Sequence, residues 1–205
     1  FGSTGWGVVQ ATAVAAKQRS IQIRGAIVAI EGFGNVGSFV FRYLEKMGAK
    51  VVAVSDSQGT IYNPEGIKFS TLTQIKKKTG TVVNYSPGKK LTNEDLFTLP
   101  VDILIPSAIP DVINTENAKR VKAKLIVEGS NIPIKEEVEQ MLHKRNILVV
   151  PDFVANTGGV ISSYSEYIGQ NPNDMMKIVR ERIRRNTALI LSHATKKNIT
   201  PREAA

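Results

Sequence analysis

An apolar run that stops at a glycine-rich turn is the feature that most constrains this chain. The run Ala26–Ile30 leads through Glu31 into Gly32, Gly34 and Gly37, which have the spacing G-x-G-x-x-G. Gly32 permits a tight turn, Gly34 lets the backbone approach a pyrophosphate, and Gly37 lets the following helix pack close to the strand. Free amides and the dipole at the start of that helix attract phosphate. The segment therefore predicts a strand, turn and helix that bind a dinucleotide.

The residues after the turn support this prediction. Six apolar positions recur at three- and four-residue steps, as one face of a helix requires; they are Val36, Phe39, Val40, Tyr43, Leu44 and Met47. Gly48 ends the helix, and Lys50–Asp56 is a second strand that ends in an acidic residue. Asp56 lies about 20 residues past the last glycine, where a carboxylate that binds ribose is expected. The alternative is a tight strand–helix turn that binds no ligand.

Strands and helices alternate along the first three-quarters of the chain. We expect further strands at 101–105, 124–127 and 147–150, a turn-rich loop at 57–63, and helices at Gly5–Lys17, 69–78, 93–97, 114–119 and from Pro133. The strands are continuous apolar runs, which is typical of a parallel sheet covered on both faces. The sequence thus predicts an α/β fold with a doubly wound, mostly parallel, Rossmann-like sheet.

The remainder of the chain has an all-helical pattern. Helices are expected at 156–169 and at Pro172–Lys197, and Thr200 is expected to start another. We interpret residues 1–205 as one dinucleotide-binding domain with C-terminal helices. In such folds ligands bind beyond the carboxyl ends of the strands. Small or polar residues follow the apolar strands at 32–37, 55–59, 106–110, 128–131 and 151–159, which predicts one long cofactor crevice.

Composition excludes several classes of function. The net charge is +9, but the basic residues, such as Lys76–Lys78 and Arg180–Arg185, lie on predicted helix faces without the aromatic interleaving of a nucleic-acid site. We therefore expect no nucleic-acid partner; an acidic partner domain or anionic ligands remain open explanations for the charge. No apolar run reaches the length of a membrane span. The chain has no cysteine and no signal-peptide pattern, which fits a cytoplasmic protein.

Residues for a complete reaction centre are not evident in the sequence. The two histidines, His143 and His193, lie on predicted helices and are interpreted as surface or C-terminal helix residues rather than as catalysts. No metal-ligand cluster or nucleophile elbow is present, so no metal site is expected. Asp56, Glu128 and Asp152 follow strands and are expected either to touch a ligand or to brace loops. The chain is therefore expected to hold a cofactor without a general acid or base pair of its own.

Several segments resemble the cofactor-binding domain of glutamate dehydrogenases, within the wider family of glutamate, leucine, phenylalanine and valine dehydrogenases. The matching segments extend over nearly the whole chain; they are 4–8, 31–37, 54–59, 106–109, 128–133 and 151–167. The pattern Asn-x-Gly-Gly-Val-x-x-Ser-Tyr-x-Glu that begins at Asn156 and the Ser-Asp-Ser loop at 55–57 favour glutamate dehydrogenase over its relatives. Ser165 and Thr157 depart from the family, which often has Phe and Ala there.

The resemblance implies a role for each matching residue. It places Thr4 at the nicotinamide carboxamide, Asp56 and Ser57 at the adenosine ribose, and Ser163 at the side-chain carboxylate of the substrate. The pyrophosphate turn is implied to consist of Gly32, Phe33, Gly34, Asn35, Val36 and Gly37. The wall beside the adenosine and the nicotinamide ribose is implied to be Ala108 and Ile109, and the amides near the nicotinamide are implied to be Asn131 and Asn156.

The resemblance also implies the reaction, which is the reversible oxidative deamination of L-glutamate to 2-oxoglutarate and ammonia with NAD or NADP. Its catalytic lysine and aspartate belong to an N-terminal substrate domain, so no catalytic residue is expected in this sequence. We expect the final C-terminal helix to be absent as well, and the chain alone to bind cofactor without turnover. The family assembles mainly through the other half, so the full-length protein is expected to be a homo-oligomer and this chain can be a monomer.

Three alternatives stay open from the sequence. The chain can belong to a leucine, phenylalanine or valine dehydrogenase, which assays on the three substrates would distinguish. A Rossmann nucleotide-sensing regulatory module would share Gly32, Gly34, Gly37 and Asp56, but would not need the segment that begins at Asn156. A noncatalytic assembly domain would keep its function after Gly34→Val. Asp56 favours NAD, whereas Lys89 and Lys90 could neutralise the 2′-phosphate of NADP, so the choice of cofactor is also open.

Overall fold

Seven strands form one mixed sheet in the computed structural model, which describes residues 2–205. They are β1 (Ile27–Glu31), β2 (Lys50–Asp56), β3 (Gly59–Tyr62), β4 (Lys89–Leu91), β5 (Ile103–Pro106), β6 (Leu125–Val127) and β7 (Leu148–Val150). Their order across the sheet is β4-β3-β2-β1-β5-β6-β7. The strands β2, β1, β5, β6 and β7 are parallel to one another, whereas β3 pairs antiparallel with both β2 and β4.

The parallel strands are buried on both faces, as continuous apolar runs predict. Successive side chains point to opposite faces of a strand, so Val28 and Ile30 of β1 enter one core while Ala29 between them enters the other. Leu104 of β5 lies on the same face as Ala29, and its neighbours Ile103 and Ile105 lie on the face of Val28. Two hydrophobic layers therefore hold the sheet in place from both sides.

Eight α-helices and one 3₁₀ helix cover the sheet in residues 2–205. The α-helices are α1 (Ser3–Gln18), α2 (Asn35–Lys46), α3 (Phe69–Thr79), α4 (Asn93–Thr98), α5 (Glu136–Lys144), α6 (Asp152–Ala155), α7 (Gly158–Tyr167) and α8 (Pro172–Lys197); the 3₁₀ helix is Ala118–Arg120. Helix α1 packs against α2, α7 and α8. None of these helices is both long and apolar enough to cross a lipid bilayer.

The doubly wound, mostly parallel fold predicted from the sequence is confirmed. β1 lies between β2 and β5, and the chain crosses from one side of β1 to the other between β4 and β5, which is the arrangement that opens a crevice at the carboxyl ends of the strands. The bounds of α8 agree with the predicted Pro172–Lys197, and α2 and β2 agree to within one residue. The expected helix at 156–169 is shorter, because Asn156 and Thr157 cap α6 and α7 respectively, and Gly169, with a φ of 74°, follows the C-cap of α7.

Three local predictions were wrong. Residues 57–63 are not a loop, because β3 pairs back on β2 through the two residues Ser57 and Gln58, a tight hairpin that orders Thr60 and Ile61. In the segment 114–119 the side chains of Asn114 and Asn117 bond to local backbone amides, so only the 3₁₀ helix forms.

The third wrong prediction concerns a helix start. The helix expected from Pro133 begins at Glu136. At Thr200 the expected helix start is present as a single turn within the described residues, because Thr200 and Glu203 exchange the hydrogen bonds of a helix start.

Candidate functional site

The end of β1, the end of β2 and the loop after β5 meet at the glycine turn. Gly32 has a φ of 90°, which glycine adopts readily, and its amide donates a hydrogen bond to Ser55 Oγ over 3.0 Å. A Cβ on Gly32 would lie 2.7 Å from the Cβ of Ala108. The lack of a side chain at Gly32 therefore lets the loop that carries Ala108 approach the turn.

Gly34 and Gly37 have opposite surroundings. A Cβ on Gly37 would lie 1.9 Å from the carbonyl oxygen of Gly32, so α2 rests directly on the turn. A Cβ on Gly34 would meet nothing within 4 Å. Gly34 also caps α2 without a side chain, so the first amides of the helix, at Asn35 and Val36, have no acceptor within the helix. Open space beside free amides at a helix N-terminus fits an anionic group such as a pyrophosphate.

Glu31 braces the loop after β5, a role that the sequence prediction did not assign. Its carboxylate is buried and accepts hydrogen bonds from the amides of Ser107 and Ala108, each over 3.0 Å. Burial raises the pKa of Glu31, and the two amides partly offset this effect. An acidic residue at the end of a fully apolar strand was the available signal. Glu31 thereby holds the loop of Ala108 and Ile109, the residues implied to line the cofactor site, against the glycine turn. Both residues are exposed at the crevice.

The carboxylate of Asp56 is occupied by protein groups. Lys76 Nζ lies 2.7 Å from Asp56 Oδ2, and the amide of Val82 donates to the same oxygen over 2.8 Å. The other oxygen accepts from the amide of Gln58 and from Thr81 Oγ1. Burial alone would raise the pKa of Asp56, but these hydrogen bonds and the Lys76 charge lower it. Asp56 thus holds α3 and the segment after it against the end of β2, and a ribose hydroxyl would have to share these acceptors.

An open cavity of 660 Å³ lies beside Ser57 at this end of the crevice. It is bounded by the β2–β3 turn, by Lys89 and Lys90 of β4, and by the start of α4. The pairing of β4 with β3 brings the two lysines to the adenosine side that the resemblance implies. Two lysines and one acid, Asp95, therefore line the cavity beside Ser57, and the lysines could pair with an anionic substituent on a ribose.

Asn131 and Asn156 meet at the other end of the crevice. Asn156 Nδ2 donates to Asn131 Oδ1 over 2.9 Å and to the carbonyl oxygen of Ser130 over 3.3 Å. The two loops are further joined by the amide of Ile132, which donates to Asp152 Oδ2 over 2.8 Å, and by the amide of Asp152, which donates to Glu128 Oε2 over 2.8 Å. Glu128 and Asp152, expected from the sequence to touch a ligand or brace loops, brace these loops.

The start of α1 reaches the same region by packing on α7. Ser3 Oγ and Ser162 Oγ are 2.8 Å apart, and a Cβ on Gly158 would lie 2.2 Å from the carbonyl oxygen of Ser3. Thr4 follows at the start of α1, and a Cβ on Gly159 would lie 2.7 Å from its Oγ1. The paired glycines that begin α7 thus bring Thr4 next to that helix, on which Ser163 is exposed.

Phe33 and the two histidines are the remaining residues singled out in the sequence. Phe33 is half-buried, with its ring 6.2 Å from those of Phe41 and Phe69, so it anchors the glycine turn to α2 and α3. His143 is half-buried at the end of α5 and His193 is exposed on α8. Within residues 2–205 no group of three or more histidine, aspartate or glutamate side chains is placed to hold a metal ion.

The sheet order, the glycine turn and the crevice at the carboxyl edge define a Rossmann-like α/β domain of the kind found in dehydrogenases. A family model described as Glutamate/Leucine/Phenylalanine/Valine dehydrogenase matches residues 1–205, and the chain belongs to this family.

Individual relatives agree with this assignment. The chain is 44% identical over 207 residues to a glutamate dehydrogenase of Aeropyrum pernix, a match that covers 98% of this chain and 49% of that protein. It is 48% identical over 165 residues to an NADP-specific glutamate dehydrogenase of Saccharolobus shibatae, over 80% of this chain and 39% of the relative. It is 43% identical over 169 residues to an NAD-specific glutamate dehydrogenase of Staphylococcus aureus, a match that covers 82% of this chain and 41% of that protein.

A solved structure shows the same fold. The hetero-hexameric glutamate dehydrogenase of Thermus thermophilus, in its leucine-bound form, superimposes with a TM-score of 0.90 at 28% identity, over 99% of this chain and 49% of that chain. The chain thus spans about half the length of the relatives it matches.

Proposed function

We propose that this chain is the cofactor-binding domain of a glutamate dehydrogenase, which oxidatively deaminates L-glutamate to 2-oxoglutarate and ammonia with NAD or NADP. The observation that carries the proposal is the open space at Gly34 beside the free amides of α2, at the meeting point of β1, β2 and β5. The names of the relatives favour glutamate as the substrate. We further propose that the catalytic lysine and aspartate lie in a separate substrate domain.

The residues of the crevice fit an extended dinucleotide. The amides of Asn35 and Val36 would hold the pyrophosphate, Ser57 would face the adenosine ribose, and Ala108 with Ile109 would line the middle of the site. Thr4, Asn131 and Asn156 would orient the nicotinamide through their hydroxyl and amide groups. When bound, the nicotinamide accepts or donates the hydride at its C4. The role of this chain is to fix that ring against the cleft.

Ser163 is the residue of this chain that we assign to the substrate. It is exposed on α7, one residue after Ser162, which bonds Ser3 at the start of α1. A short neutral hydroxyl can donate to the side-chain carboxylate of glutamate without adding a charge. In the whole protein, Ser163→Ala is expected to raise KM for glutamate with little change in kcat. Assays of the whole protein with glutamate, leucine and phenylalanine test this substrate choice, because a preference for leucine or phenylalanine would exclude it.

The cofactor site is proposed to take NAD or NADP. The charge of Asp56 is paired with Lys76, so a 2′-phosphate would meet a neutralised carboxylate, and Lys89 and Lys90 lie at the cavity beside Ser57. These positions make NADP compatible with an acidic residue at the end of β2. Replacing both lysines by methionine is expected to weaken the binding of NADPH about tenfold more than the binding of NADH. Equal effects on the two Kd values would show that the lysines do not bind the 2′-phosphate.

The partners proposed for the whole protein follow from the family. The Thermus thermophilus relative is hetero-hexameric, and we propose that the whole protein assembles into a homo-oligomer. The expected cytoplasmic location remains a prediction.

Direct titration tests the proposed function. Calorimetry and nicotinamide fluorescence should show saturable binding of NADH or NADPH to the 205-residue chain, and Gly34→Val should abolish it. The same preparation is expected to show no turnover of glutamate. Absence of saturable binding up to millimolar dinucleotide would exclude the proposal, and turnover by this chain alone would refute the division of roles.

A further inference from the structure

A buried ionic cluster lies behind the loops that carry Asn131 and Asn156. Arg202 Nη2 lies 3.2 Å from Glu128 Oε2, 2.8 Å from Glu139 Oε1 and 3.4 Å from Asp152 Oδ1. Arg202 Nε also donates to Glu139 Oε1 over 2.9 Å. The Glu128 and Glu139 side chains are 0% and 1% exposed, so one guanidinium serves three acids that water hardly reaches. No role in the proposed function uses this cluster.

The three acids come from different elements and converge on the site. Glu128 follows β6, Glu139 lies on α5, and Asp152 begins α6. Glu128 and Asp152 each accept a backbone amide from the loops described above, at Asp152 and Ile132 respectively. The oxygen of Glu128 that binds the amide is the one that Arg202 contacts. Displacement of the guanidinium would therefore disturb the same hydrogen bonds that hold the two loops together.

Arg202 is itself held in place by its own turn and by a ring. Thr200 is buried, its amide and hydroxyl both donate to Glu203 Oε2, over 2.8 and 2.9 Å, and the amide of Glu203 donates back to Thr200 Oγ1. The guanidinium lies 5.0 Å from the centroid of the Phe153 ring, a distance typical of a cation–π contact. Because the planar guanidinium has five donors in a rigid fork, it can bind several carboxylates at once, which a lysine ammonium does less well.

We propose that Arg202 is a positioning residue for the nicotinamide end of the cofactor site, and acts through Glu128 and Asp152 on the loops that present Asn131 and Asn156. The inference rests on the proposed function. The adenosine end is built from the glycine turn, Ser57 and the β4 lysines, none of which contacts the cluster. Loss of Arg202 is therefore expected to affect the two ends of a dinucleotide unequally.

The test compares two ligands that differ in the nicotinamide. ADP-ribose carries the adenosine, the pyrophosphate and the second ribose, and a reduced dinucleotide adds the ring. In calorimetric titrations of the 205-residue chain, Arg202→Met is expected to raise the Kd of NADH or NADPH, whichever the wild-type chain binds more tightly, at least tenfold. The Kd of ADP-ribose, or of 2′-phospho-ADP-ribose where NADPH is the dinucleotide, should change less than twofold. Arg180→Met removes an exposed arginine of α8, which among residues 2–205 forms an ion pair with Glu181 alone, and should alter neither Kd.

Every other result decides against the proposal. Equal weakening of both ligands would show a general structural role, and unchanged affinities would show no role in the site. Should Arg202→Met fail to fold, Arg202→Lys is the second variant, because it keeps the charge. It is expected to raise the Kd of the dinucleotide at least threefold more than the Kd of ADP-ribose. If the ratio of these two Kd values equals that of the wild-type chain, the inference is overturned. If the wild-type chain binds neither ligand, the proposed function fails first, and the inference is refuted with it.

Discussion

Gly34 and Gly37 lie three residues apart, yet replacing each by alanine should damage a different property. A Cβ at Gly37 would lie 1.9 Å from the carbonyl oxygen of Gly32, whereas ordinary contact begins at 3.4 Å. The start of α2 must therefore move by about 1.5 Å. Overpacking costs about 1–3 kcal/mol, and we expect the upper value because the atom met is backbone. At about 2–4 °C per kcal/mol for a chain of this length, Tm should fall by roughly 6–12 °C.

Gly34→Ala should leave the fold almost intact. Its Cβ would meet nothing within 4 Å, and the backbone, with φ −91° and ψ −155°, is extended. The remaining cost is that of alanine at a helix N-cap, roughly 0.5–1 kcal/mol, or a Tm lower by about 1–4 °C. The added methyl group would occupy the space proposed for the pyrophosphate. We expect the Kd for NADH or NADPH to rise at least about tenfold, which corresponds to about 1.4 kcal/mol.

The two effects are measured separately. Thermal unfolding followed by circular dichroism without ligand reports the fold, and calorimetric titration at a temperature where both variants are folded reports binding. If Gly34→Ala binds the dinucleotide as tightly as the wild-type chain, the open space at Gly34 is not the pyrophosphate site. If the Tm of Gly37→Ala equals that of the wild-type chain, the close approach of α2 to the turn does not limit stability, and the packing argument is wrong.

Three further predictions concern stability. Burial, then the neighbouring Glu139, raise the pKa of Glu128 to about 9, against partial opposition from Arg202; the folded chain thus keeps a proton that the unfolded chain releases near pH 4.5. The free energy of unfolding should fall by up to roughly 1 kcal/mol per pH unit between these values. Glu128→Gln should reduce this dependence of the unfolding free energy on pH, measured by urea unfolding at pH 5–8. An unchanged dependence would show that Glu128 does not hold a proton in the folded chain. Asp56→Asn should lower the free energy of unfolding by roughly 2 kcal/mol at pH 7, because four hydrogen-bond donors lose a charged acceptor. This cost should vanish as the pH falls through the lowered pKa of Asp56, and a cost that persists there would rule out its charge as the cause. Leu104→Ala should lower the stability by about 3 kcal/mol, since this side chain is fully buried; a loss below about 1 kcal/mol would indicate that the core refills the space.

The local pattern of residues determined most of the architecture. Apolar runs with glycine turns specified β1, β2 and α2, and a periodic apolar face with Pro172 at its start specified α8 to the residue. These elements are visible in sequence because their strongest determinants are neighbours along the chain. The same holds for the glycine turn and for the segment from Asn156, which carried the family resemblance.

Only the tertiary structure decided the edge of the sheet and the partners of the buried charges. β3 and β4 are short, and they form by pairing with β2 and β3 respectively, so the sequence has no strong strand pattern at these positions. Glu31 binds amides 76 and 77 residues away, and Arg202 binds acids 50 to 74 residues away. A buried charge is stable only beside its partner, and the fold, rather than the spacing along the chain, determines which partner it finds.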